Sequence, residues 1–155
     1  MIGADEEGIC YRGTFKINPK FNLRDNNETE LVKGHATPEG TRTFSERSSM
    51  VHPSNFKTVG MPSAEQLTLS KIAYGTATGT THSQQDFFQY FVLKNVLLSG
   101  GINHIDTGHS LRSHRAEYTS GRVLRTLFNK FGLGREEVFV NSKQGFVGNN
   151  AYDKA

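Results

Sequence analysis

Hydrophobic residues are distributed unevenly along this chain of 155 residues. Residues 1–55 show no sustained hydrophobic period and are rich in Asn, Thr, Ser, Gly and charged residues. A segment of that composition buries too little apolar surface to offset the entropy that its chain loses on ordering. We therefore expect residues 1–55 to form an extended N-terminal arm, with one short strand in the alternating stretch 11–17.

From residue 56 onward, hydrophobic segments recur in a regular order. A hairpin around Gly60-Met61-Pro62 is expected first. Apolar runs of strand length then alternate with segments that carry apolar residues at helical spacing. The strands are expected at 71–74, 102–106 and 138–142, and the helices at 83–99 and from about 115 to 131. The order strand, helix, strand, helix, strand predicts right-handed parallel β-α-β units, and therefore an α/β fold.

The charge distribution gives no indication of a nucleic-acid partner. The formal net charge is +3 with both signs interspersed, and no basic run is interleaved with aromatic residues, so nucleic-acid binding is not expected. Cations are concentrated around the second predicted helix, where a solvated helix face is favoured over a site for an acidic partner. These cations are Arg112, Arg115, Arg122, Arg125 and Lys130.

Cysteine content and hydropathy indicate a compartment. The single cysteine, Cys10, excludes an internal disulfide and favours a reducing intracellular compartment, cytoplasmic or cytoskeletal rather than an organelle lumen. No apolar run approaches the ~18 residues that span a membrane, so membrane insertion is not expected. The acidic N-terminus is unlike a secretory signal or a transit peptide.

Two residues of opposite charge follow successive predicted strands. Asp106 ends the second strand, and Lys143 follows the third. Because the active sites of β/α barrels are built from the carboxyl ends of several strands, this pair is the first candidate for chemistry. Each charge would keep the other ionised. On the pattern alone, a structural ion pair is favoured over a catalytic one.

His109 and His114 lie in the loop that follows Asp106. Loop histidines near a strand end are more often exposed or hydrogen-bonded locally than metal-binding, and no third ligand is apparent in the sequence. We therefore expect no metal site.

The residues around the charged pair resemble a known family. The stretch GINHIDTGHSLRSHRAEYTSGRVLRTLFNKFGLGREEVFVNSK resembles the aldo/keto reductases, and the resemblance extends from about residue 36 to residue 149. Many features match in order and at the family spacing, so the resemblance is more specific than any lone motif. They are Asp106-Thr107 at a strand end, Glu117 and Gly121 in the following helix, Arg135-Glu136, and Lys143.

The resemblance implies both a fold and a set of roles. It implies that the α/β segment is a partial (β/α) TIM barrel with about three parallel strands and two helices. The family reduces carbonyl groups with an Asp, Tyr, Lys and His tetrad and a bound nicotinamide cofactor, NADP. Asp106 and Lys143 match two members of that tetrad. Gly75-Thr76 matches the Gly-Thr that approaches the nicotinamide ribose, so Gly75, Thr76 and Asp106 are the implied cofactor-binding residues.

The chain departs from the family pattern at the catalytic acid. The family's Tyr lies five residues after the Asp, and that position is Leu111, which cannot donate a proton. The family's His and its phosphate-binding elements come from later strands, so residues 56–155 are expected to be a truncated segment. We therefore expect Asp106 and Lys143 to be inactive relics and no cofactor to be bound.

The hypothesis that the sequence favours is a catalytically inactive aldo/keto-reductase-like protein that serves as a structural component of a large multiprotein assembly. Partner proteins are expected to contact residues 1–55 and the open edge of the sheet, since uncovered strand edges invite aggregation. The alternative is the N-terminal part of an NADP-dependent aldo/keto reductase, a carbonyl oxidoreductase. A small ligand-binding module is a weaker third hypothesis, because the phosphate-binding elements are lacking.

Overall fold

The computed structural model of the chain describes residues 8–11, 14–17, 32–47, 49–63 and 65–144. Within these residues it contains helices, short strands and two 3-10 turns. The helices are α1 (Pro38–Glu46), α2 (Ser83–Leu98) and α3 (Arg115–Lys130). The strands are β1 (Gly8–Tyr11), β2 (Thr14–Ile17), β3 (Phe56–Gly60), β4 (Gln66–Ser70), β5 (Tyr74–Gly75), β6 (His104–Asp106) and β7 (Phe139–Asn141). The 3-10 turns are Pro53–Asn55 and Arg135–Glu137.

The central element is a parallel sheet with the strand order β5-β6-β7. Tyr74 lies opposite Ile105, and Ile105 lies opposite Val140. α2 connects β5 to β6, and α3 connects β6 to β7, so each helix is a crossover between neighbouring parallel strands. The predicted α/β class with three parallel strands is confirmed. Across the described residues the sheet is open and does not close into a barrel.

α2 and α3 pack against the face of the sheet on which Ile105 lies. Ile105 is fully buried in one cluster with Leu93 of α2 and Val123 of α3. The Tyr90 hydroxyl donates to Thr126 Oγ1 at 3.0 Å and joins the two helices. Because side chains alternate along a strand, the residues on either side of Ile105 belong to the opposite face of the sheet. None of the helices in the described part of the chain combines the length and apolarity needed to cross a membrane.

The predicted hairpin is confirmed, and Asn103 fastens it to the parallel sheet. β3 and β4 pair antiparallel, from Phe56 opposite Ser70 to Gly60 opposite Gln66. Asn103 directly precedes β6 and is fully buried. Its Oδ1 accepts from the Ser70 backbone N–H at 2.9 Å, and its Nδ2 donates to the Thr68 carbonyl oxygen at 2.9 Å. The hairpin is thereby held at the amino end of the parallel strands.

The expectation of an extended arm is wrong for residues 38–46, which form α1. Thr37 caps this helix by accepting a hydrogen bond from the Gly40 N–H at 3.0 Å, and Pro38 is a favourable first helical residue. Phe44 is fully buried in the main core cluster. The high average polarity of residues 1–55 conceals this one amphipathic segment, whose Thr-Pro start is a recognisable N-terminal signal.

α1 contacts the 3-10 turn that precedes β7. A Cβ atom at Gly40 would lie 2.5 Å from the Glu136 carbonyl oxygen, so this close approach requires glycine. The Thr37 N–H donates to the same carbonyl at 3.0 Å. Arg47 forms an ion pair with both carboxylate oxygens of Glu137. The folded unit that contains the parallel sheet therefore begins before residue 55, where the arm was expected to end.

Other boundaries differ slightly from the predictions. The stretch 11–17 contributes to two strands, because β1 pairs antiparallel with β2. The first parallel strand is Tyr74–Gly75 rather than 71–74. α2 begins at Ser83, as predicted, and His82 occupies the N-cap position before it. Gly100 and Gly132 follow the ends of α2 and α3 with positive φ angles of 74° and 66°, as expected for helix termination.

Phe44→Ala tests whether α1 is part of the core. Removing a fully buried Phe side chain is expected to lower the free energy of unfolding by ~3–5 kcal/mol. Thr43→Ala is the matched control, since Thr43 is exposed on the same helix, and its effect is expected to stay within about 0.5 kcal/mol. Urea unfolding followed by circular dichroism measures both. Equal stability of the two variants would contradict the packing of α1 described above.

Candidate functional site at the carboxyl edge of the sheet

The predicted site residues meet at the carboxyl ends of the parallel strands. Gly75 lies opposite Asp106, and Asp106 lies opposite Asn141. Backbone hydrogen bonds extend this order beyond the strands: the Thr107 N–H donates to the Asn141 carbonyl at 2.8 Å, and the His109 N–H donates to the Lys143 carbonyl at 3.1 Å. The chain after β6 therefore follows the chain after β7 closely, and their side chains come within reach of one another.

Asp106 and Lys143 form an ion pair at this edge. The Lys143 Nζ donates to Asp106 Oδ1, and Asn141 Nδ2 donates to the same oxygen at 2.9 Å. The contact between the two charges agrees with the expectation from the strand ends. The sequence reasoning missed Asn141, although its place opposite Asp106 follows once the register of β6 and β7 is known.

The surroundings set the ionisation of this group. The Lys143 hydrogen bond holds the pKa of Asp106 below its ordinary value, and Asn141 acts in the same direction. The Asp106 side chain is 37 % exposed and that of Lys143 is 57 % exposed, so solvent screens the pair and its contribution to stability is small. Burial lowers the pKa of His104, which lies two residues before Asp106 in β6, although the Asp106 carboxylate opposes that shift.

The two residues implied to approach a nicotinamide differ in their accessibility. Gly75 is exposed, and a Cβ atom at this position would meet no other atom within 4 Å. Thr76 is buried, and its hydroxyl donates to Thr107 Oγ1 at 2.9 Å. The Thr76 backbone N–H donates to the Asp106 carbonyl at 3.0 Å. Thr76 therefore fastens β5 to β6, and only the glycine presents open surface.

Leu111 lies in the loop between β6 and α3. It is half-buried, and a Cβ atom added to Gly108 would lie 3.3 Å from its Cγ atom. The side chain therefore packs over Gly108, directly after the end of β6. It offers neither a donor nor an acceptor at this edge of the sheet.

The loop that carries Leu111 has an unusual backbone, held in place by a buried network of charges. Arg112, Ser113 and His114 all have positive φ angles, of 53°, 55° and 71°. The left-handed region costs each non-glycine residue about 1 kcal/mol or more. Arg112 offsets this strain through Asp86 of α2, since both side chains are buried and their ion pair measures 2.5 Å.

Further bonds complete the network around Asp86. Arg112 also donates to Gln89 Oε1 at 2.8 Å and to the Thr80 carbonyl at 2.9 Å. Arg115 donates through Nε to the second Asp86 oxygen at 2.8 Å. The interpretation of the cations around α3 as a solvated face is therefore wrong for Arg112, whose side chain is 1 % exposed. The available signal was Asp86 at the start of a largely apolar predicted helix, because a carboxylate that becomes buried requires a cationic partner.

Glu117 connects the start of α3 to the strand ends. It accepts from the Ser142 hydroxyl at 2.7 Å, and its other oxygen lies 3.3 Å from His109 Nδ1. The rings of His109 and His114 are in contact, with centroids 4.1 Å apart. His109 therefore has a local polar partner, as the sequence favoured, whereas the Nδ1 atom of His114 is buried without a hydrogen-bond partner. Across the described residues, no three His, Cys, Asp or Glu side chains are grouped so as to hold a metal ion.

Comparison of the chain with protein-family models, with curated proteins and with solved structures gives no match. The resemblance to the aldo/keto reductases therefore stays a prediction.

Lys143→Met tests the electrostatics of the Asp106 pair. In the unaltered chain the Asp106 carboxyl is expected to titrate below its ordinary value of 3.8, and loss of the Lys143 hydrogen bond should raise its pKa. Because the folded-state pKa is depressed, the pair stabilises the fold above about pH 4, and this contribution is lost as the pH falls through the folded value. Carboxyl-detected NMR titration measures the midpoint.

Lys57→Met is the matched control, since Lys57 is exposed on β3 and does not bond to Asp106. It should leave the Asp106 midpoint unchanged. The ion pair would be disproved by an Asp106 midpoint that is insensitive to Lys143→Met. The free energy of unfolding at neutral pH should fall by only ~1 kcal/mol or less in Lys143→Met, because the pair is exposed.

Proposed function

We propose that this chain is a catalytically inactive aldo/keto-reductase-like protein that serves as a structural component of a multiprotein assembly. The observation that carries the proposal is Leu111. By the resemblance, Leu111 occupies the position of the family's proton donor, the tyrosine. The tetrad's Asp and Lys are both present, as the ion pair of Asp106 and Lys143 at this edge of the sheet. Reduction of a carbonyl needs a proton at oxygen as well as a hydride at carbon, and a leucine cannot supply it.

Three tyrosines lie between residues 32 and 144, and none of them replaces the missing donor, which supports this assignment. Tyr74 packs against the core cluster, on the face of the sheet opposite to Asp106. Tyr90 is buried and bonded to Thr126. Tyr118 is 57 % exposed on the surface of α3. Asp106 and Lys143 would then serve as a sheet-end ion pair, with no cofactor bound.

The open sheet supports the structural role. Within the described residues, the outer sides of β5 and β7 pair with no further strand. Exposed strand edges form hydrogen bonds with other chains unless they are covered. In this proposal the sheet is part of a TIM-barrel-like arrangement whose remaining surface is supplied by partner proteins, through the open edge and the N-terminal residues that precede α1. The single cysteine is in keeping with a reducing intracellular compartment.

A second function is favoured by the retained ion pair itself. Asp106 and Lys143 are in contact at the carboxyl ends of adjacent parallel strands, where β/α enzymes place their catalytic groups. The chain would then be the N-terminal part of an NADP-dependent carbonyl reductase, with Gly75 and Thr76 near the nicotinamide ribose. The proton would have to come from a group outside the described residues.

Leu111→Tyr tests the assignment of the missing acid. The unaltered chain is expected to give no NADPH-dependent reduction of a reactive aldehyde, measured by the loss of NADPH absorbance. A general acid contributes ~10²–10⁴-fold to such a step. If Leu111 occupies the position of the acid and the reductase alternative supplies the remaining groups, Leu111→Tyr should restore turnover. Leu111→Phe adds the ring without the hydroxyl and should not. Turnover by the unaltered chain would contradict the proposed inactivity.

Deletion of residues 1–31 tests the structural role. The deletion retains Thr37, which caps α1, and Phe44 in the core, so cooperative unfolding should persist. In cell extracts the full chain is expected to elute in a complex much larger than its own 17.2 kDa, and the shortened chain should elute mostly as a free protein. Lys57→Met is a surface control that should stay in the complex. Elution of the full chain as a free monomer would argue against an assembly component.

A further inference from the structure

The outer edge of β4 is covered by other parts of the chain. The Thr68 N–H donates to Thr41 Oγ1 at 3.1 Å, and the Ser70 N–H donates to Asn103 Oδ1 at 2.9 Å. The Thr68 carbonyl accepts from Asn103 Nδ2 at 2.9 Å. These backbone groups of β4 therefore point away from β3, and each of them has a partner within the fold.

The outer edge of β3 has no such cover. In an antiparallel pair, two residues that lie directly opposite each other either exchange hydrogen bonds or both point outwards. Thr58 lies opposite Thr68, and Gly60 follows two positions later, so the backbone groups of both point away from β4. Neither N–H donates to an acceptor among the described residues. Both residues are exposed, and a Cβ atom at Gly60 would meet no atom within 4 Å, so this edge is open to another strand.

We propose that β3 pairs antiparallel with β3 of a second copy of this chain, about a two-fold axis at Thr58. β3 has five residues, whereas the edge strands of the parallel sheet, β5 and β7, have two and three. The pairing would join the hairpins of two copies into one continuous antiparallel sheet. It goes beyond the structural role proposed above, which concerns the parallel sheet and the residues before α1, and it does not depend on that role.

The side chains of β3 are compatible with this register. Pairing about Thr58 places each Thr58 opposite its own copy, and threonines paired in this way are favourable. Lys57, the single charged residue of β3, then lies opposite Val59. Like charges are therefore not placed directly opposite each other, which would be destabilising. Phe56 lies opposite Gly60, which has no side chain to oppose the ring. This self-complementarity favours a second copy over an unrelated peptide.

The backbone sets the strength that we expect for the contact. The two Thr58 residues exchange N–H···O bonds, and each Gly60 N–H donates to the Phe56 carbonyl of the other copy. The Phe56 N–H takes no part, because it already donates to the Pro53 carbonyl. One short strand edge buries less than the ~1,200–2,000 Å² of a stable interface, so we expect a reversible dimer whose population rises with concentration.

Sedimentation velocity of the full-length chain tests the pairing. The mean mass is expected to rise with concentration from 17.2 kDa towards twice that value. Thr58→Pro removes the central donor and should abolish this rise, since proline is tolerated at a strand edge where the N–H faces outwards. Thr58→Val retains the N–H and the branched side chain and should associate like the unaltered chain. An unaltered chain that stays monomeric up to ~1 mM would overturn the proposal.

Opposite charges at position 58 test the two-fold axis without a proline. Thr58 is exposed, so the monomer accommodates either charge. Thr58→Lys and Thr58→Glu each place like charges opposite each other, and each alone should be monomeric, whereas an equimolar mixture should form a heterodimer. Thr43→Lys and Thr43→Glu, at an exposed position of α1, are the matched controls and should associate like the unaltered chain. Association of Thr58→Lys alone, or no recovery in the mixture, would contradict the proposed axis.

A cysteine at position 58 tests the register by cross-linking. Cys10→Ser combined with Thr58→Cys leaves one thiol in the chain. The Cα atoms of a hydrogen-bonded antiparallel pair lie ~5.5 Å apart, a distance that a disulfide spans. Mild oxidation should therefore link two copies of this variant, whereas Thr43→Cys in the same background should stay largely unlinked. Equal linking of the two variants would mean that chance encounters join the thiols, and the proposal would be wrong.

Discussion

The buried carboxylate of Asp86 joins the elements that surround the carboxyl edge of the parallel sheet. It lies in the first turn of α2 and accepts from Arg112 in the loop after β6 and from Arg115 in the first turn of α3. A charge buried in this way is tolerated only with partners, and loss of one partner from such a pair typically costs ~3–5 kcal/mol. The starts of both crossover helices and the path of the loop that carries Leu111 are therefore fixed together.

The amino edge of the sheet is held by neutral hydrogen bonds and by one ion pair. Asn103 binds the backbone of β4 at Ser70 and Thr68, while Arg47 and Glu137 hold α1 against the turn before β7. Each of these contacts joins segments distant in sequence, so the short strands gain order from the elements around them. Three strands of two or three residues supply few ladder bonds of their own, which explains why buried polar side chains have such a large part in this fold.

The sequence predicted the elements whose signals are local and strong. The two crossover helices, their glycine ends and the hairpin before them follow from periodicity and turn residues, and the adjacent positions of Asp106 and Lys143 follow from parallel strand order. α1 was missed because one Thr-Pro start and one buried Phe44 lie within a polar average. Arg112 was misread because its position in an Arg-rich segment suggested solvent, whereas its burial depends on Asp86, more than twenty residues earlier. The contact of Asn141 with Asp106 could not be predicted from either segment alone, because it depends on the register in which β6 and β7 pair.

The side-chain bonds that hold the loop after β6 do not involve the side chain at position 111. Arg112 sets that path through Asp86, Gln89 and the Thr80 carbonyl, and Leu111 rests on Gly108. A leucine is accommodated there without disturbing the ion pair of Asp106 and Lys143, whose bonds run along the strand ends. In the proposed function this separation has a direct consequence. In that proposal the proton donor is replaced at one position, while folding alone maintains the buried network around Asp86 that shapes the loop.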